Sequence, residues 1–330
     1  MNPKHVAYWL LGTLVCTFSL TPAGAEEPQV YVAVVSNKSF TVGAKNAGSG
    51  LFVGDLSGGT WRNLAFSNMR TFSVEVLPHI GSGLIYTANG NGVIISRDGG
   101  KTWRVTTGWE ITEVLKIAAN PQNPATVYIG TAYGAYKSVD FGETWQQLTH
   151  RYVYSLHLDV QDTSRIYVGE EDRLLVSTNA GRSFRRTGRL SLPVLSLAQD
   201  PQEPDILFLG TEDDGLFVSR NRGKSWRQVG TAPVTATVYQ ILIDEHDPRR
   251  IFAATFAHGV LISHDGGRSW MGQQKTLQGM PVFCIALHPQ DRNTLFAGTQ
   301  KWGIVSSEDG GKTWKPFGLD GTYVMEIEIR

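Results

Sequence analysis

The chain has 330 residues, with 30 basic and 30 acidic side chains and eight histidines. A formal net charge of zero gives no global attraction to nucleic acid or to an anionic membrane surface. Two cysteines, Cys16 and Cys284, rule out a disulfide-rich framework.

Residues 1–25 read as a cleaved signal peptide. Lys4 and the amino terminus form a basic start, Val6 to Leu20 is an apolar run, and Thr21-Pro22 breaks it. Ala23-Gly24-Ala25 is an A-x-A cleavage site. The run is shorter than the roughly 20 residues a bilayer-spanning helix needs. Cys16 has no small residues ahead of it, so a lipoprotein anchor is not expected. Cleavage after Ala25 removes Lys4, takes the net charge to −1 and leaves Cys284 as the sole thiol, read as a packing residue in an apolar strand. An exported protein without a disulfide suits a periplasm, or else secretion. Asn37-Lys38-Ser39 is a glycosylation sequon that matters only in a eukaryotic secretory route.

From residue 26 onwards the expectation is one all-β domain, 26–330. Val30 to Val34 resembles a second strand of a repeating unit, and Ser36 to Ser49 reads as an insertion. A worn turn motif ends at Trp61, keeping Gly58 and Thr60. The full motif follows as Ser96-Arg97-Asp98-Gly99-Gly100-Lys101-Thr102-Trp103 and returns from Ser138 to Trp145, Ser263 to Trp270 and Ser307 to Trp314. Softer copies run from Ser177 to Phe184 and from Ser219 to Trp226, with Asn179 and Asn221 in the Asp place. The closing aromatics Trp61, Trp103, Trp145, Phe184, Trp226, Trp270 and Trp314 lie 39 to 44 residues apart, the length of a propeller blade. Between them, short β-branched and aromatic runs such as Val114 to Ala118, Val127 to Gly130 and Gly134 to Ser138 alternate with Gly/Pro turns. Four strands per unit and seven units predict a seven-bladed β-propeller. Tyr323 to Ile329 repeats an inner strand and is expected to close the ring by completing the first blade.

The octet has a turn-building chemistry. The Asp or Asn side chain accepts from backbone N–H groups, Gly supplies the positive φ, the hydroxyls cap further groups and the Trp fills the apolar layer. One catalytic or calcium site would not need seven copies, so the motif is read as architecture. It matches the Asp box, or BNR repeat, of sialidases, sortilin-like receptors and photosystem II assembly factors. Over residues 26–330 the chain resembles the photosystem II stability and assembly factors of the Ycf48/HCF136 type and their relatives in non-photosynthetic bacteria. That resemblance implies a non-catalytic assembly scaffold; the chain is accordingly read as a monomer without cofactor whose partner is a protein of an envelope or membrane complex. In that family a patch of arginines goes with the role.

The second reading is a carbohydrate-active propeller, either a glycoside hydrolase, a sialidase-like enzyme or a glycan-binding module. Sialidases need an arginine ahead of the first box, and Glu26 to Gly54 contains none. Xyloglucanase-type enzymes place their carboxylates between two propellers, and this chain has length for one. No metal-ligand spacing, G-x-S-x-G or phosphate loop occurs.

Topology puts every box on one rim. The opposite face is expected to carry Arg151, Arg185, Arg186 and Arg189 on blade connections, near Glu170-Glu171-Asp172 and Glu212-Asp213-Asp214. Trp109, Tyr133, Phe256 and Trp302 are expected on that face too. The candidate site is therefore Arg151, Arg185, Arg186 and Arg189 with Trp109 and Tyr133 as apolar anchors for an acidic partner. Inner strands also repeat a polar third position, Ser73, Lys116, Ser155, Ser196, Gln240, Cys284 and Glu326, expected by the channel and serving blade-to-blade hydrogen bonds.

Overall fold

The computed structural model describes residues 28–36, 48–77, 80–81, 83–188, 190, 193–230, 236–272 and 275–330. The export segment, the sequon, Arg189 and most of the 36–49 insertion lie outside the described residues. The described chain is all-β apart from a single 3-10 turn at Lys275–Leu277. Among these residues no helix is long and apolar enough to cross a membrane.

Strand-forming runs separated by Gly/Pro turns pair with their chain neighbours in six sheets, and a seventh also joins the two ends of the chain, so that all seven are antiparallel. From blade 2 to blade 7 the inner strands are Thr71–Leu77, Val114–Asn120, Val153–Leu158, Val194–Gln199, Val238–Ile243 and Val282–Leu287. Blade 1 takes its inner strand from the C-terminus: Thr322–Ile329 pairs with Gln29–Ser36, with Val30 opposite Ile329 and Val32 opposite Ile327. The expected ring closure is thus present. One expectation fails in blade 6, whose sheet has three strands. There the box is followed by a lone bridge between Ile262 and Met271, whose backbones exchange both hydrogen bonds.

The core sits between blades. Tyr86, Tyr128, Tyr167, Phe208, Phe252 and Phe296 occupy the same place in successive second strands and are fully buried. Small residues let the blades approach: a Cβ on Gly210 would stand 2.7 Å from Cγ1 of Val238 in the next blade. Gly267 combines both glycine requirements, with φ +76° and a would-be Cβ only 2.4 Å from the Phe208 ring.

The boxes hold the outer turns. Ser96 Oγ accepts from Gly100 N (2.8 Å) and donates to Asp98 Oδ1 (2.8 Å). Asp98 accepts from Thr102 N (2.8 Å) and Thr102 Oγ1 (2.6 Å), and Trp103 Nε1 donates to Gly100 O at 3.0 Å. The Asp bonds recur around Asp140, Asp265 and Asp309, and the indole bond recurs at Trp270 and Trp314. In the softer copies Asn179 accepts from Ser183 N and donates to Ser183 Oγ, so an amide reproduces the turn without charge. In the worn first box Asp55 accepts from the backbone and hydroxyl of Ser57, and Trp61 Nε1, like that of Trp145 and Trp226, is buried without a partner.

Hydrogen bonding sets the charge state of these turns. The Thr102 hydroxyl, then its backbone N–H, hold Asp98 at about 2, and Ser269 does the same for Asp265. Asp140 is held at about 2 by the hydroxyls of Ser138 and Thr144. Around Asp309 burial opposes the shift, and the Thr313 and Ser307 bonds outweigh it, again to about 2.

Candidate functional site

Each of the seven inner strands carries a register shift at the same place. Pairing jumps from Thr71 to Ser73, Val114 to Lys116, Val153 to Ser155, Val194 to Ser196, Val238 to Gln240, Val282 to Cys284 and Val324 to Glu326. A bulge leaves one residue unpaired and re-aims it. The skipped residues are Phe72, Leu115, Tyr154, Leu195, Tyr239, Phe283 and Met325, and all seven line one cavity. It is a funnel of about 510 Å³ at the box-free mouth of the channel.

Loops complete it. Tyr152, Thr237, Phe256, Glu212 and Asp213 stand on or beside blade connections and second-to-third-strand loops, and Lys116 lines the wall next to the bulges. Tyr152 and Tyr154 have ring centroids 4.4 Å apart, and Tyr239 meets Phe283 edge-on at 5.1 Å. Asp213 accepts from the Thr237 hydroxyl at 2.8 Å. Burial, then the charges of Glu212 and Asp213, raise the Tyr239 hydroxyl above its ordinary pKa; for Tyr154 the acids are Glu171 and Glu212.

The residues just after the bulges serve the ring. Six of them bond the inner strand of the next blade: Ser155 Oγ donates to Val194 O (2.7 Å), Ser196 Oγ to Val238 O (3.5 Å) and Cys284 Sγ to Val324 O (3.6 Å). Ser73, Gln240 and Glu326 accept from Ile117 N, Ile285 N and Val74 N. The expected blade-to-blade role of this column therefore holds, with Lys116 as the exception that lines the funnel. Cys284 is a packing thiol, 1% exposed, and burial pushes its pKa up, away from nucleophilic use.

Deeper in the channel the closure seam concentrates carboxylates. Glu328 accepts from Val76 N at 2.9 Å and pairs with Arg330 at 2.7 Å. Burial raises Glu75 to about 7; Arg330 works against the shift and Glu326 adds to it. Glu328 is raised well above the carboxylate range by burial and by Glu75.

Of the six residues singled out from sequence, the five that are described, Arg151, Arg185, Arg186, Trp109 and Tyr133, lie outside the funnel lining. Trp109, on the connection from blade 2 to blade 3, is 91% exposed, and Tyr133 in the next loop is 55% exposed. Phe256 (52%) and Trp302 (40%) are open as well. Arg151 pairs with Asp172 at 3.3 Å, both exposed. Arg185 and Arg186, expected on a connection, instead belong to the outer strand Arg185–Thr187, paired with Leu174, Leu175 and Val176. The pleat separates them: Arg186 donates to the backbone carbonyls of Asp172 and Leu190, while the Arg185 side chain is exposed and hydrogen-bonds no described residue. Arg151 and Arg186 thus meet at Asp172. Arg189 lies outside the described residues. Glu170 is no solvated loop charge; it is fully buried and bonded by Arg173 Nε at 2.6 Å.

The bulged residues were missed because strand alternation puts the second residue of Val-Phe-Cys or Val-Tyr-Ser on the packed face. The available signal was the recurrence of a large apolar residue directly before the polar column. Among the described residues no group of three or more His, Cys, Asp or Glu could hold a metal ion.

The BNR/Asp-box repeat family model matches residues 94–105. No curated protein matches the chain. A GH74 xyloglucanase from Xanthomonas campestris superposes with a TM-score of 0.64 at 17% identity over 78% of this chain. This chain spans less than half (46%) of that one. A structure of YCF48 bound to a D1 peptide gives 0.61 at 18% identity, covering 79% of this chain and 87% of the other. YCF48 from Cyanidioschyzon merolae gives 0.59 at 13%, covering 78% and 88%. At such identities the likeness is one of fold. The chain is a seven-bladed β-propeller of Asp-box repeats that resembles YCF48 in architecture.

Proposed function

We propose that this protein is an exported, monomeric, non-catalytic scaffold whose box-free face binds a protein partner while an envelope or membrane complex is assembled. One observation carries the reading: the box-free face gathers exposed aromatics, Trp109 at 91% above all, beside charged loops. Solvent-exposed aromatics next to arginines are the raw material of protein hot spots. On this reading Trp109 and Tyr133 are anchors, and Arg151, Arg185, Arg186 and Arg189 answer acidic groups of the partner. The YCF48 structure that resembles this one holds a peptide, which supports protein binding as the class of activity.

A carbohydrate-active propeller is the second reading, favoured by the aromatic funnel and the xyloglucanase likeness. Against catalysis, the funnel's two carboxylates, Glu212 and Asp213, are neighbours on one loop. Glycoside hydrolysis needs two carboxyls flanking the bond, about 5 to 9.5 Å apart. Co-purification from the native envelope tests the proposal: wild-type chain should retain a protein partner, and Trp109→Ala with Tyr133→Ala should lose it. Turnover of a β-glucan or sialoside that vanishes in Glu212→Gln or Asp213→Asn would overturn it.

A further inference from the structure

The funnel has a chemistry of its own. Six of its thirteen lining residues are aromatic, Phe72, Tyr152, Tyr154, Tyr239, Phe256 and Phe283, and its exposed rim charges are Glu212 and Asp213. Neither carboxylate forms an ion pair with a described residue, and nor does the neighbouring Glu171. Two arginines on this face are already answered. Arg70 lies over the Phe72 ring at 5.5 Å and pairs with Glu113 at 2.7 Å, and Arg151 pairs with Asp172. The funnel's own cation is Lys116, one positive charge in the lining against the two of Glu212 and Asp213. The mouth thus presents aromatic faces under a surplus of negative charge.

Aromatic faces attract cations through the ring quadrupole, more strongly once the cation sheds water, and rim carboxylates add a field of the same sense. A neutral sugar ring could stack on these faces and would gain nothing from that field. A cavity of about 510 Å³ has room for a side chain with its flanking backbone, more than a lone ammonium fills. The hydroxyls of Tyr152, Tyr154 and Tyr239 hydrogen-bond no described residue, so they are free to meet a peptide backbone.

We infer that this funnel takes the basic side chain, arginine or lysine, of an extended segment of the protein partner, stacked on Tyr154, Tyr239 and Phe256 and answered by Glu212 and Asp213. The inference rests on the protein-binding reading and adds a basic anchor at the centre of a face whose outer arginines meet acidic groups. The outer arginines and the funnel carboxylates then have opposite signs, which fixes the partner's register, because a segment shifted along the face would meet like charge.

The test uses the full chain and blocked pentapeptides, acetyl-Ala-Ala-X-Ala-Ala-amide, with X as arginine, lysine, glutamine or glutamate, read by ligand-observed NMR. Arginine and lysine peptides should bind, with glutamine about tenfold weaker, a gap of roughly 1.4 kcal/mol. Tyr239→Leu, which keeps apolar bulk and removes the ring, should weaken the arginine peptide several-fold while the melting temperature stays put. Glu212→Gln with Asp213→Asn should weaken it and flatten its salt dependence. Equal binding of the glutamine peptide, or indifference to all three substitutions, overturns the inference. So does tetramethylammonium binding as tightly as the peptide, or cello-oligosaccharide binding in its place. If the arginine peptide fails while wild-type chain still captures an envelope partner, the funnel assignment falls and the scaffold reading stands.

Discussion

The box rim and the channel wall are both written seven times in the chain, and repetition means something different in each. On the rim one chemistry recurs in six of the blades: a serine, an acid or amide, a glycine and a hydroxyl close the same turn with bonds near 2.8 Å. On the wall one geometry recurs with changing chemistry, a bulge that aims Phe, Leu, Tyr, Leu, Tyr, Phe and Met into a shared funnel. A repeated side chain signals a structural duty that every blade must meet. A repeated backbone device filled by different side chains leaves a surface free to be specified.

The largest expected effect comes from breaking the wall at its seam. Deleting residues 323–330 removes the inner strand of blade 1, Met325 from the funnel and the partners of the Val74 and Val76 N–H groups. Val324 and Ile327 are buried and Ile329 packs against their cluster. Burial of roughly 1.5–3 kcal/mol each is a large share of a total stability of about 5–15 kcal/mol. The truncated chain should lose its cooperative melting transition; a melt like that of the full chain would contradict the closure.

Next is a break in the rim. Ser96→Ala strands the buried Gly100 N–H, which costs about 1–3 kcal/mol. Melting should drop, and partner capture below the new melting temperature should stay at wild-type yield. Reduced capture at unchanged melting would place the function on the rim.

A pH scan sharpens the contrast, because the two regions respond in opposite senses. The box acids have folded pKa values near 2 against an ordinary 3.8, so their contribution is complete above about 3.8 and lost as pH falls through 2. Glu75 is raised from 4.5 to about 7, so the folded state holds its proton more tightly. Its stabilising influence is complete below 4.5 and is lost as pH rises through 7. Glu75→Gln should flatten the fall in chemical-denaturation stability between pH 4.5 and 7 without moving the acid limb. An unchanged slope would contradict the burial of this carboxyl.

The smallest effect on stability belongs to the exposed arginines. Arg185→Ala should leave melting unchanged, since exposed charges contribute little to folding. Arg186→Ala should cost slightly more, because Arg186 ties the blade 4 connection to the loop at Asp172. Both should lower partner capture; wild-type yield in the double variant would remove the arginines from the site.

The rim was legible in the sequence because its chemistry is local: Ser96, Asp98, Gly100 and Thr102 satisfy one another within seven residues. Blade number and the split of the two faces follow from those turns, and ring closure from the extra inner strand written at Tyr323 to Ile329. The funnel was not legible, because a bulge in an inner strand depends on pairing with the second strand and leaves no turn residue behind. Phe72, Tyr154 and Phe283 look like ordinary strand residues until the register is known. Arg185 and Arg186 show the same limit: their adjacency suggested one patch, and the pleat of their strand gives them different surroundings.

Hydrogen–deuterium exchange on the chain with its captured envelope partner tests the division of faces most directly. Protection should fall on the box-free loops at 106–113, 132–133, 148–152, 171–173, 212–214 and 256–258, with the box turns at 96–103 and 263–270 unchanged. Protection of the box turns with the box-free loops unaltered would contradict the account.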